Sequence, residues 1–454
     1  MIAPGSGGRL SGSRARQWLL VFVVVAFLVR LAFDVPVFRH TGVALTPDAR
    51  AGYLPLAHHL GDGYLHSESR LFDVGLYRTP AYPTFLGILF GLHAGIRGAV
   101  VVQAAIGALT VLLTYLLGLE LAGTLAALFA AAVVALEPSG IAWSGYLQPE
   151  ALFSLLFLAG ILLWVRALRR DSLLRGFAAG IVLGIAALTR PIGAYAPPLL
   201  VVGGSMVHRA STWRRRALVS AVLLAGFGLV AGGWLVRNYV VADLPALGTI
   251  ENANLLEYRA AGAVAEDKGI ALSRARKELL ASLERRLSPR PSVAERNREE
   301  RALAISTLRH HLRGATISWA KGAARLVVGP ARDAIVQRLD GGRPGATPRA
   351  IRLAVLGLAG VALVVTYLTA ALGTVLAALR RRVDVLMILG VPLIYVLVLS
   401  AGPQADARFR VPMLPFLAVL SGIGGSWVVV RLRERRRGGD SAQEPSARLL
   451  GELS

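Results

Sequence analysis

The sequence predicts an all-α polytopic membrane protein with about ten transmembrane helices and further short juxtamembrane helices on its outer face. Three observations predict it. First, 55% of the 454 residues are apolar while the formal net charge is +23, a pairing that suits membrane spans joined by arginine-rich loops rather than a soluble domain. Second, the apolar residues fall into runs close to the ~20 residues that cross hydrocarbon. Third, the arginines stand at the ends of those runs, as loop charges do. That placement also argues against nucleic acid as the partner of the basic charge. Cysteine is absent, which excludes a disulfide framework, a thiolate metal site and a cysteine nucleophile.

The runs are Trp18–Phe33, Ala99–Leu119, Leu121–Leu136, Ala151–Val165, Gly176–Val207, Ala217–Val236, Ala354–Leu379, Val385–Ala401 and Val411–Val430. No small-residue cleavage site follows the first, so it reads as an uncleaved span. Arginines cluster at Arg9/Arg14/Arg16, Arg166/Arg169/Arg170/Arg175, Arg209/Arg214/Arg215/Arg216, Arg380/Arg381/Arg382 and Arg431–Arg437. Positive-inside topology puts all of them in the cytoplasm, so an even number of crossings separates neighbouring clusters. Gly176–Val207 must then be a hairpin that turns at Thr189-Arg190-Pro191. Pro80–Leu92, too short for an ordinary span, must not cross. Ten crossings result, with both termini cytoplasmic.

This threading divides the chain into a membrane module at residues 1–236, with its first outer loop at 34–98. A large outer loop at 237–350, spans at 351–431 and a basic cytoplasmic tail at 432–454 follow, with no separate soluble C-terminal domain expected. The large loop is itself basic, but positive-inside counting applies to short loops. Within it Leu279, Leu280, Leu283 and Leu287 share one helical face, as do Ile305, Leu308 and Leu312. Such helices are expected to lie along the membrane surface or to pack over the spans.

The polar residues that could carry chemistry gather at the outer end. Asp48 lies in Thr46-Pro47-Asp48-Ala-Arg50-Ala-Gly-Tyr53. Thr46 as N-cap and Pro47 at the first helical position would make Asp48 a first-turn acid, whereas an outer-face carboxylate could instead serve as a general base. Glu150, after Pro149, has the same two readings. Arg190, Arg237-Asn238, Arg408 and Arg410 stand at outer span ends, and Arg78 opens the non-crossing segment. Single arginines there are interfacial anchors by default, but a group of them with two carboxylates suits an anionic head group. His58, His59, His66 and His93 lack metal-ligand spacing, and His310-His311 read as a solvated helix face. No phosphate-binding glycine loop or dinucleotide fingerprint occurs.

On these pieces the chain resembles the C-type membrane glycosyltransferases, in particular family 39 and its aminoarabinose-transferase-like branch. The pieces are Pro47-Asp48-Ala-Arg-Ala-Gly-Tyr53, Arg78-Thr-Pro-Ala-Tyr82-Pro83, Gln148-Pro149-Glu150, Gly184-Ile-Ala-Ala-Leu-Thr-Arg-Pro191, Gly233-Trp-Leu-Val-Arg-Asn-Tyr239 and Ala407-Arg-Phe-Arg-Val-Pro412. The resemblance implies a C-type fold and transfer of a sugar from a polyprenyl-phosphate carrier to an extracytoplasmic lipid, glycan or protein acceptor, usually with inversion. It implies a site in a bacterial inner membrane facing the cell envelope, with membrane lipid as a further partner and no nucleic acid. Asp48 and Glu150 match the family's acidic positions and would be catalytic. Arg78, Arg190, Arg408 and Arg410 would bind the donor phosphate, and Arg50, Tyr53, Tyr82, Arg237 and Asn238 the substrates. Many relatives pair two acids in the first loop or carry a lysine near the juxtamembrane helix. Here Asp48 stands without an acidic neighbour and Arg78 takes the basic place, so a divalent metal stays open as a cofactor with its ligands unassigned. A transporter or lipid flippase is the alternative, and would need polar or broken helices midway across the membrane.

Overall fold

The computed structural model describes residues 12–207 and 212–443. Arg9, Arg209 and the last residues of the expected basic tail, 444–454, lie outside them. The described residues form helices and turns without a β-strand. Seven helices are long and apolar enough to cross a membrane. They are α1 (Gly12–Phe33), α3 (Gly95–Ala122), α6 (Glu150–Arg169), α9 (Trp213–Ala242), α14 (Arg349–Leu379), α15 (Val383–Ser400) and the last span, Ala407–Arg435. An eighth appears if α4 (Thr124–Leu136) and α5 (Pro138–Ser144), bent by 50° at Glu137, count as one. The protein is therefore a multi-pass membrane protein.

The other two of the ten expected crossings are shorter helices. The run Gly176–Val207 does fold as a hairpin, α7 (Leu173–Thr189) followed by Pro191–Tyr195 and α8 (Ala196–Val207). It turns at Arg190, which is extended (φ −144°, ψ 123°), as the residue before a proline tends to be. Seventeen residues of α7 rise only roughly 25 Å, so length alone does not establish ten crossings. Pro80–Leu92 also matches its expectation in form: α2 (Ala81–Gly91) is one short apolar helix.

Glycines allow the spans to approach closely where no apolar solvent effect drives them together. A Cβ on Gly180 of α7 would come within 2.0 Å of the Leu223 carbonyl of α9, and one on Gly373 of α14 within 1.9 Å of the Leu420 carbonyl of α16 (Leu414–Gln443). At one end of the bundle three arginine clusters converge. Arg166 and Arg169 reach Glu120 at 2.9 and 3.4 Å, and Arg382 binds Asp384 at 2.8 Å and the Leu121 carbonyl at 3.1 Å. Arg215 joins them through the Asp171 carbonyl at 2.5 Å. This convergence agrees with even numbers of crossings between these clusters.

The large loop is helical. Helices α10 (Leu272–Glu284) and α11 (Val293–His310) form a hairpin in which Leu279, Leu280, Leu283, Leu287 and Leu308 pack together against Leu256 and Ala260. Leu312 departs from the expected face. Helix α11 ends at His310, so Leu312 opens α12 (Leu312–Val328) and is 67% exposed. Helix α13 (Arg332–Leu339) then returns the chain to α14.

Candidate functional site

At the end of the bundle opposite the arginine clusters, the first loop delivers Asp48. Thr46 is the cap: its hydroxyl accepts the Ala49 N–H at 3.2 Å. Asp48 makes no cap bond. Its carboxylate instead accepts from Arg78 Nη2 at 2.7 Å, and its other oxygen lies 3.5 Å from Arg408 Nη1. Arg78 is held in extended backbone just before the Thr79-Pro80 step that opens α2. Its guanidinium lies over the Tyr53 and Tyr77 rings (4.9 and 5.0 Å), and it donates to the Tyr53 hydroxyl at 3.3 Å. Arg408 sits on the 3₁₀ segment Ala407–Met413 with Phe409 beneath it at 4.7 Å. Burial would push the Asp48 carboxyl up. The two guanidinium groups and their hydrogen bonds outweigh it and hold the acid below its ordinary value of 3.8.

Glu150, the first residue of α6, is 2% exposed and pairs with Arg190 at 3.1 Å. Its other oxygen, Oε2, is buried without a hydrogen-bond partner among the described residues. Arg190 projects from the hairpin turn over Phe153 (5.8 Å) and Phe409 (5.0 Å). Arg408 lies in the field of both Glu150 and Asp48. Two carboxylates and three arginines thus meet where an apolar bundle ends, with acceptor capacity left on Glu150 and a buried, unpartnered Nε on Arg408.

Known proteins resemble this chain in sequence family and in fold. The family described as dolichyl-phosphate-mannose-protein mannosyltransferase matches residues 78–234, which carry Arg78, Glu150 and Arg190. No curated protein matches the sequence. Among solved structures, the oligosaccharyltransferase of Archaeoglobus fulgidus in complex with an inhibitory peptide and a dolichol-phosphate superimposes with a TM-score of 0.52 at 15% identity, covering 94% of this chain and 52% of that one. The apo form of the Archaeoglobus fulgidus enzyme gives 0.54 at 15% identity with the same coverage. The fold is that of the C-type glycosyltransferases. The chain spans about half the length of the oligosaccharyltransferase it matches.

Within this C-type fold the remaining expected site residues lie apart from the Asp48 cluster or support it from behind. Arg410 is 2% exposed, donates to the carbonyls of Leu326, Val327 and Gly329 at 2.9–3.0 Å and lies 3.5 Å from Glu137. Arg237 donates to the Asn238 side chain at 2.8 Å and to the Tyr64 carbonyl, and Asn238 donates to the Ala246 carbonyl at 2.8 Å. Both fasten the start of the large loop. Arg50 points away, to the Gly42 carbonyl at 3.2 Å. Tyr82 is fully buried, with its hydroxyl on Gln103 at 2.7 Å.

Sequence reasoning missed the strap 144–148 that leads to Glu150. Gln103 donates to the Ser144 and Tyr146 carbonyls at 2.7 and 2.8 Å, the Leu147 N–H donates to the Ala44 carbonyl at 2.9 Å, and Gln148 donates to the Thr46 hydroxyl. These bonds tie the Asp48 turn to the Glu150 helix start. Its sequence signals were the polar side chains of Gln103 and Gln148, in or beside apolar runs, the second within the Gln148-Pro149-Glu150 piece. As for a metal, among the described residues no group of three or more His, Asp or Glu could hold one. Asp48 faces two guanidinium groups and Glu150 a third.

Proposed function

We propose that the chain is a membrane glycosyltransferase that moves a sugar from a polyprenyl-phosphate carrier to an acceptor outside the cytoplasm of a bacterial cell. The observation that carries this reading is the Asp48 carboxylate between Arg78 at 2.7 Å and Arg408 at 3.5 Å, at the end of an apolar bundle where a lipid-borne phosphate would arrive. The dolichol-phosphate in the solved relative and the dolichyl-phosphate-mannose description of the matched family support the same donor chemistry. The transfer reads as inverting. Positive-inside counting of the converging arginine clusters supports a cytoplasmic position for them and an envelope-side position for the site.

The chemistry follows from charge. An acceptor hydroxyl attacks the anomeric carbon, the bond from that carbon to the phosphate oxygen breaks, and its electron pair stays on the phosphate. Arginines that meet the growing negative charge stabilise the transition state. In the free protein Arg78 and Arg408 neutralise Asp48, which makes it a weak base. An arriving phosphate competes for both cations. As they turn to it, Asp48 regains basicity and can orient the acceptor hydroxyl or take its proton. The buried charges Arg30, Glu137 and Arg410 stand at helix ends rather than midway along spans, so a transporter reading gains nothing from them.

The test uses purified wild type and Asp48→Asn in lipid, incubated with a panel of polyprenyl-phosphate sugars and envelope extracts, with release of polyprenyl phosphate as the readout. Wild type is expected to release it and Asp48→Asn to lose about 10²–10⁴-fold in rate. Full turnover by the variant would reduce Asp48 to a structural anion. Sidedness is checked separately: a reporter fused after Thr307 is expected outside the cytoplasm and one fused after Arg381 inside. Both on one side would break the ten-crossing threading.

A further inference from the structure

Beyond Arg190 the structure holds a second polar group that the Asp48 cluster does not use. Tyr395, on α15, is 6% exposed, and its hydroxyl has no hydrogen-bond partner among the described residues. A buried phenol of this kind nearly always finds one. Its ring packs beside Phe157 at 6.2 Å, Phe157 stacks on Phe153 at 5.4 Å, and Phe153 lies under Arg190. The same hydroxyl lies within electrostatic reach of Glu251, Tyr195 and Arg190.

Three separate elements bring these groups together. Tyr195 ends the 3₁₀ turn Pro191–Tyr195 that Arg190 caps. One short turn therefore carries both the cation that pairs with Glu150 and a phenol whose hydroxyl meets Glu251. Glu251 belongs to Ile250–Asn254, the first helix of the large loop. The third contributor is α15. Burial raises the Glu251 carboxyl above its ordinary value, against the pull of the Tyr195 hydroxyl.

We propose that Tyr395, Tyr195 and Glu251 form a subsite for the hydroxyl groups of a sugar ring, next to the phosphate-facing arginines. Two phenols that can donate or accept, with one carboxylate that accepts, match a neutral polyol. They do not match an anion, because Glu251 would repel it. The subsite joins the Asp48 cluster through Arg190, so a ring held there has its phosphate or its reaction partner on the arginine side. This inference rests on the glycosyl-transfer reading and deepens it: the ring belongs to the donor or to the acceptor. It also gives the large loop a place in the site through Glu251.

The experiment uses the full chain in nanodiscs, as wild type, Tyr395→Phe and Glu251→Gln. Tyr395→Phe removes one oxygen and keeps the packing on Phe157. The probes are farnesyl phosphate, its glucosyl, mannosyl, galactosyl and arabinosyl esters, and the corresponding methyl glycosides. In wild type at least one sugar is expected to tighten farnesyl phosphate binding. Tyr395→Phe is expected to reduce that gain by about 5–10-fold, the worth of one hydrogen bond between uncharged groups, and Glu251→Gln by about 10-fold or more, as for a bond to a carboxylate; both should leave binding of farnesyl phosphate itself unchanged. If the loss instead appears only with methyl glycosides, the ring is the acceptor's. Equal affinities of both variants and wild type for every probe would mean that the Tyr395 hydroxyl meets only water, and would overturn the subsite. Turnover with that result sinks the subsite alone. A wild type that neither binds farnesyl phosphate nor releases polyprenyl phosphate sinks the transfer reading, and the subsite with it.

Discussion

Arg408 and Arg410 stand two residues apart on one 3₁₀ segment and end in different kinds of carboxylate cluster. Arg410 is sealed. It has three carbonyl bonds at the end of α12 and lies 3.5 Å from Glu137, which also accepts from the Ser139 hydroxyl and the Gly140 N–H. Arg408 is open. It shares Asp48 with Arg78, and its side chain is 23% exposed against 2% for Arg410. A 3₁₀ turn places neighbours on different sides, so one short segment can anchor the large loop and arm the site. An arginine whose terminal nitrogens are taken by carbonyls and a buried carboxylate serves architecture, whereas a part-exposed one that shares its carboxylate with a second arginine can turn to a ligand.

The largest effect expected from this contrast is on stability. Arg410→Ala strips a buried carboxylate of its cation and frees three carbonyls, and should cost about 3–5 kcal/mol. Thermal unfolding in detergent is the check. An unfolding temperature equal to wild type would show that the Glu137 cluster does not hold the loop.

Arg408→Ala comes next and should act on turnover instead. Losing one cation from the departing phosphate costs about 10²–10³-fold in rate, while unfolding stays close to wild type because the side chain is partly solvated already. Were Arg408→Ala to destabilise as much as Arg410→Ala, the division between an open and a sealed cluster would collapse.

That division was not legible in the sequence, which presented Ala407-Arg-Phe-Arg-Val-Pro412 as two equivalent arginines before a span. Periodicity and charge parity anticipate the long apolar helices, the turn between α7 and α8 and the shortness of α2, because each follows from the length and end charges of one segment. Partner choice depends on contacts between segments far apart. Arg410 meets Val327, and Gln148 meets Thr46. Nothing local in either segment encodes those meetings. For Thr46 and Asp48 the two sequence alternatives turn out to divide the work: Thr46 caps the turn and Asp48 faces the arginines.

The smallest effect is on pH dependence, and it sharpens what Asp48 does. Its folded value lies below the ordinary 3.8, because Arg78 and Arg408 outweigh the burial that would raise it. A carboxylate lowered in the folded state contributes stability that is fully present above its unfolded value and disappears as the pH falls through the folded one. The difference in unfolding temperature between wild type and Asp48→Asn should therefore be flat above about pH 5 and shrink below it. The acid limb of kcat/KM, which reports the free protein, should likewise fall below 3.8. The acid limb of kcat should lie higher, since bound phosphate draws the two cations from Asp48. Identical acid limbs in both profiles would mean that the arginines never leave Asp48, and that the carboxylate only orients the acceptor.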